Sequence, residues 1–133
     1  MFEIPITVEA PHIDDLGHVN NVVYLQWVQE VAKSHWHAMA NAEDIKNLGW
    51  VVTRHEMEYR AAGFLGDELI ARTWIGETTP LSCERFVEIR RSSDDRVLMR
   101  ARSIWIPVDR TSGRPRRIGP QVLAPFRDPR TYE

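Results

Sequence analysis

At 133 residues the chain is a little shorter than a typical domain, which predicts one fold unit over residues 1–133 built around one core. Hydrophobic residues make up 43% and charged residues 27%, a globular balance far from that of disordered chains. Seventeen basic against nineteen acidic residues give a net charge of -2, without the basic excess that nucleic-acid or anionic-membrane binding requires, so any charged function has to be local.

The start, Met1-Phe2-Glu3-Ile4-Pro5, has neither the basic residues nor the apolar stretch of a signal peptide, and the longest apolar run, Val22 to Leu25, cannot span a bilayer. The lone cysteine, Cys83, can close no internal disulfide and reads as a small core residue; together these features predict a cytoplasmic protein with no membrane partner. Phe2 to Ala10 alternates loosely and reads as a first strand, with Pro5 marking an edge position. A loop then runs from Pro11 to about Asn21.

From Val22 to Ala40 the period lengthens. Tyr24, Trp27, Val28, Val31, His35 and Ala38 recur at steps of three and four, the pattern of an amphipathic helix, and Asn20-Asn21 supplies its N-cap. After Gly49 the period falls to two. Val51, Thr53, His55, Met57 and Tyr59 then share one face, opposite Val52, Arg54, Glu56 and Glu58. Three more strands follow, at about Asp67 to Glu77, Leu81 to Arg91 and Val97 to Val108. Their short connections predict antiparallel neighbours throughout.

A single striped helix can bury its face only against one side of such a sheet, which gives an α+β fold with five antiparallel strands wrapped around one long helix. Arg72, Glu84, Glu88 and Arg100 fit a solvated outer face, and Trp74 and Phe86 on that face suggest a covered patch and hence a homo-oligomer.

The chemistry concentrates in His12-Ile13-Asp14-Asp15-Leu16-Gly17-His18-Val19-Asn20-Asn21, where carboxylates, imidazoles and carboxamides crowd the loop that feeds the helix. Gly17 lets the backbone turn. The helix start offers free N–H groups and the positive end of its dipole. Two readings fit these residues. In one, Asp14 and Asp15 only complement the helix terminus and the asparagines only cap it. In the other, a thioester or ester oxygen is polarised by the N–H of Asn21 or Val22, while Asp14 attacks or activates water and His18 fixes loop and substrate geometry.

Asp14-Asp15-Leu16-Gly17-His18-Val19-Asn20-Asn21, with Tyr24 and Trp27 on the helix, resembles the motif of the hotdog-fold acyl-CoA thioesterases of the 4-hydroxybenzoyl-CoA thioesterase type, kin to the acyl-ACP thioesterases. The likeness continues through Tyr59-Arg60-Ala61-Ala62, Gly66-Asp67-Glu68-Leu69, Trp105 to Asp109 and Thr111 to Ile118, over essentially the whole chain. It implies a hotdog fold and a homodimer or homotetramer with sites between subunits. It further implies Asp14 as nucleophile or general base, amides near Asn21 and Val22 holding the thioester oxygen, and no cofactor besides the coenzyme A of the substrate. Two positions depart from the acyl-ACP branch: Leu16 stands where that branch has an asparagine, and Ala62 where it has an acid. An acyl-CoA is therefore the expected substrate.

Gly17 and Asn20 shape the expected substrate site, Tyr24 and Tyr59 line an apolar acyl pocket, and Trp27 is core. Arg114, Arg116 and Arg117, in an acid-free run from Arg110, suit the phosphates of coenzyme A. His12, Asp14 and His18 have metal-ligand chemistry without a second shell, so no metal is expected. His35 and His37 read as helix-surface or core-edge residues. Two other activities fit the fold. One is an enoyl-thioester hydratase, although its aspartate-to-histidine signature with an intervening Asn-Pro is absent. The other is a non-catalytic acyl-CoA or acyl-carrier binding module.

Overall fold

The computed structural model describes residues 1–127. Five strands, β1 (Phe2–Thr7), β2 (Leu48–Tyr59), β3 (Glu68–Thr79), β4 (Ser82–Arg91) and β5 (Arg96–Asp109), form one antiparallel sheet in the order β1-β3-β4-β5-β2. Against one face lies α1 (Asn21–Met39), followed by the short α2 (Ala42–Asn47); α3 (Pro120–Leu123) and a 3-10 turn (Ala124–Arg127) come after β5.

Helix α1 buries Val23, Tyr24, Trp27, Val28, Val31, Ala32, His35 and Trp36, a stripe at three- and four-residue steps. Trp36 closes the stripe, and Ala38, expected on it, is exposed. The inner sheet face answers with Leu69, Ala71, Val87, Ile89, Met99 and Ala101. Each large apolar side chain so buried contributes about 1.5–3 kcal/mol.

Three features differ from the expected sheet. First, β2 does not pair with β3. The chain crosses over between them, and β2 pairs with β5 at the sheet margin. Second, a β-bulge between Val52 and Arg54 inserts Thr53 and reverses the phase of the strand. Trp50, Val52, His55 and Met57 are therefore the half-buried positions, and Val51 is exposed. Third, α2 and α3 are too short for periodicity to reveal them. The first strand is shorter than expected, giving way to a 3-10 turn at Ala10–His12, and Pro5 does sit on the other edge strand.

The outer face carries a row of alternating charge, with Glu3, Arg72, Glu88, Arg100 and Glu58 opposite one another on successive strands. Burial opposes the charge on Glu88, but Arg90 and Arg100 outweigh it and hold this carboxyl below its usual range. Trp74 and Phe86 stack beside this row at 5.7 Å and are half-buried.

His35 is not a surface residue: it is fully buried between Phe2 and Phe126, at 4.9 and 4.7 Å. Burial and the neighbouring Arg85 guanidinium push its pKa down to about 3. The ring is thus neutral, and its Nδ1 accepts from Arg85 Nη1 at 2.9 Å; Arg85 Nη1 also donates to Thr73 Oγ1 at 2.9 Å. Because His35 regains an ordinary pKa near 6.5 on unfolding, the unfolded chain binds one more proton between pH 6.5 and 3. The stability that this group contributes is therefore complete above pH 6.5 and falls by about 1.4 kcal/mol per unit as the solution is acidified. His35→Asn, which keeps an acceptor for Arg85, is expected to flatten that acid limb by one proton in urea titrations between pH 7 and 4; an unaltered slope would contradict a neutral buried His35.

Candidate functional site

The loop between β1 and α1 is folded by its own polar groups. Asp14 Oδ1 accepts from the Leu16 amide at 2.9 Å and the His18 amide at 3.4 Å, while Asp14 N donates to His18 O at 2.9 Å. Gly17 turns the chain at φ +82°, a conformation in which glycine carries no Cβ penalty. The folded-back loop puts His18 Nδ1 3.5 Å from Asp14 Oδ2, and both side chains reach solvent, at 35% and 26% exposure. Two bonds anchor it, from Asn20 N to His12 O at 3.0 Å and from Val19 N to Gly63 O at 2.9 Å.

Asn20 is the N-cap, its Oδ1 accepting from Val22 N at 3.0 Å. This corrects the expectation that Val22 could polarise a substrate oxygen, because its N–H is already committed to the cap. The Asn21 N–H, by contrast, has no acceptor among the described residues. The loop thus carries a partly exposed carboxylate with an imidazole 3.5 Å from it, and it leads directly into a free amide at the positive end of a 19-residue helix. That arrangement can take a proton from a water and receive an oxyanion.

Tyr24 and Tyr59 part company. Tyr24 is only 2% exposed, packed edge-on against Trp27 at 5.4 Å with its hydroxyl beside Gly63, so it belongs to the core and lines no open pocket. Burial raises the pKa of both tyrosines. Tyr59 is exposed, and its hydroxyl donates to Asn21 O at 3.3 Å, which puts its ring at the helix start. His12 turns inward, its Nδ1 accepting from Glu9 N and its ring edge-on to Trp27. Among the described residues no group of three metal-ligating side chains converges.

Around the loop stands an apolar rim that sequence reasoning missed: Leu16, Val22, Phe64 and Leu65 are exposed, Leu16 by 79%. Isolated apolar residues of this kind carry no periodicity, so the sequence pattern alone does not single them out. Gly63 was missed too. A Cβ there would stand 3.1 Å from both the Tyr24 hydroxyl and Val19, so its smallness lets the β2–β3 crossover approach the loop.

Arg114, Arg116 and Arg117 lie elsewhere. They are exposed on the turn after β5, where Arg116 pairs with Asp109 at 3.4 Å and Arg110 N donates to Asn47 O. Tyr59 contacts the start of α1 and Trp50 contacts Trp36 near its end, so β2 runs antiparallel to the helix. The arginines and Asp14 are therefore at opposite ends of α1, a helix roughly 27 Å long at 1.5 Å of rise per residue. They do not form one site within a chain.

A family model described as the thioesterase-like superfamily matches residues 8–126. No match was found among curated proteins. Solved structures resemble the chain closely in fold at low identity. A thioesterase from Thermus thermophilus, complexed with coenzyme A and zinc, is 19% identical with a TM-score of 0.82, over 95% of this chain and 97% of that one. A predicted thioesterase from Bacillus stearothermophilus is 22% identical with a TM-score of 0.81, over 95% and 93%. A 1,4-dihydroxy-2-naphthoyl-CoA thioesterase from Synechocystis is 16% identical with a TM-score of 0.77, over 89% of each chain. The architecture is thus the hotdog fold. Asn20→Ala, which removes the cap bond to Val22, should lower unfolding stability by about 1 kcal/mol in denaturant titrations; an unchanged midpoint would mean that the cap bond does not hold the helix start.

Proposed function

The chain belongs to the thioesterase-like superfamily, and on that premise we propose that it hydrolyses an acyl-CoA thioester to a free acid and coenzyme A. The observation that carries this reading is the Asp14 carboxylate, oriented by the Leu16 and His18 amides and partly open to solvent, in the loop that leads into the unpaired Asn21 N–H. Asp14 removes a proton from water as the water oxygen attacks the thioester carbon, or attacks that carbon itself. The carbonyl oxygen, gaining negative charge, is received by the Asn21 amide. The C–S bond then breaks; on the first route the departing thiolate takes the proton that Asp14 drew from water, and on the second it takes a proton from solvent while a water hydrolyses the Asp14–acyl anhydride, releasing the acid and restoring the carboxylate. His18 acts as a positioning residue through its contact with Asp14, and Gly17 and Asn20 hold the loop in shape.

The remaining parts of the site come from a second copy. Strand β2 is twelve residues long and ends the sheet, so its outer backbone groups are available for pairing. Two copies paired antiparallel along β2 bring the Leu48 end of one strand to the Tyr59 end of the other. Arg114, Arg116 and Arg117 of one subunit then approach Asp14 of the partner subunit, where guanidinium groups bind the phosphates of coenzyme A. This arrangement supports a homodimer as the smallest active unit, acting in the cytoplasm on acyl-CoA.

Asp14→Asn should leave the melting temperature near that of the wild type and reduce thiol release from acyl-CoA by at least ~100-fold, the scale of a positioned base. Wild-type turnover by this variant would remove Asp14 from the mechanism. Thiol release also separates hydrolysis from hydration or simple binding, neither of which frees coenzyme A.

A further inference from the structure

The acyl group needs an apolar space, and the buried Tyr24 does not provide one. A cavity of about 470 Å³ opens beside β2 between α1 and the sheet. Exposed Lys33, His37, Val51 and Arg110 line it together with the less exposed Trp36, Trp50, Trp105 and Cys83 and the buried Arg85. Trp36 and Trp50 meet edge to face at 5.5 Å. Large aromatic walls beside exposed cationic groups suit an apolar group attached to an anionic carrier.

Leu123 of α3, which is buried, also lines this cavity. A second cavity, also about 470 Å³, lies beyond it among Thr78, Pro80, Ile118 and Pro120. Leu123 is the single residue that borders both. The segment that carries it is pinned on each side. Ile118 N donates to Pro80 O at 2.9 Å, Arg127 Nη2 donates to Gly76 O at 2.6 Å, and Phe126 is fully buried and stacked on Trp36 at 5.7 Å. Leu123 is therefore a fixed side chain shared by the walls of two spaces, held by a segment that belongs to neither the sheet nor the long helix.

Resting on the thioesterase reading above, we propose that Leu123 is the specificity-determining residue that ends the acyl pocket. The wild-type protein takes an apolar acyl group short enough to stop at this side chain, and truncating it joins the two cavities into one channel for a longer chain. A pocket that ends in a hydrophobic wall discriminates about 10- to 200-fold per methylene, so the effect is readable in steady-state kinetics.

The test measures kcat/KM by thiol release over saturated acyl-CoA thioesters from butanoyl to hexadecanoyl, for the wild type, Leu123→Ala and Leu123→Trp. Thermal melts establish that each variant is folded. The expected result is a cut-off moved to longer chains, with a gain of at least tenfold on the first chain that the wild type rejects, in Leu123→Ala, and a cut-off moved to shorter chains in Leu123→Trp. A parallel measurement follows quenching of tryptophan fluorescence by the corresponding free fatty acids, since Trp36, Trp50 and Trp105 line the cavity. Thiol release with the same chain-length cut-off in all folded proteins overturns the role of Leu123 and leaves the thioesterase reading intact. Binding whose length limit follows residue 123, without thiol release from any thioester, upholds the role of Leu123 and overturns the hydrolytic reading. Should both variants fail to fold, an unchanged wild-type signal with every fatty acid overturns the proposal as well.

Discussion

Burial of one helix face governs the placement of every chemical group in this molecule. The stripe from Val23 to Trp36 can leave water only against the inner face of the sheet, and its packing aligns α1 antiparallel to β2. The N-terminus of the helix, with its free amide and positive dipole end, is then fixed beside Gly63 and Tyr59, at the end of the loop that carries Asp14. The same alignment carries the arginine turn to the other end of the helix. Core packing thus separates the proposed acid–base chemistry from the proposed phosphate contacts, and a second copy related by a two-fold axis would reunite them.

The polar loop persists because its groups bond one another. Asp14, the Leu16 and His18 amides, and Asn20 with Val22 satisfy donors that would otherwise depend on solvent, while the carboxylate keeps an exposed edge. The mid-sheet network works differently. His35, Arg85 and Thr73 place a guanidinium in the interior by keeping the imidazole neutral, so no second positive charge opposes the first. One cluster faces water, where chemistry needs it; the other is buried beneath the aromatic cavity and helps to hold its shape.

Much of this was legible in the residues. The change in hydrophobic period at Val22, the asparagine pair before it and the glycine five residues earlier located the helix, its cap and the turn, because each reports a local backbone requirement. The motif from Asp14 to Asn21 pointed to the hotdog fold, which the structure has. Non-local features stayed hidden. The Thr53 bulge inverts the faces of β2 without altering its alternating sequence, and the pairing of β2 with β5 follows from the crossover, which a short connection does not reveal. Tyr24 and His35 share the stripe of the aliphatic residues, but only packing decides which ring is sealed in the core. The segment from Gly119 to Arg127 is too short for a period, yet its Leu123 lines the aromatic cavity.

In the proposed dimer, Asp14 of one subunit acts on a thioester whose coenzyme A is held by the arginines of the other. Mixed dimers test this directly. One protein carries Asp14→Asn, a second carries Arg114, Arg116 and Arg117 each replaced by alanine, and thiol release from acyl-CoA is measured for each alone and after co-refolding. Weak activity in both parents and a marked recovery in the mixture, from the one site per heterodimer that keeps Asp14 and the arginines intact, is the expected result. A mixture no more active than the average of its parents would contradict a site shared between subunits.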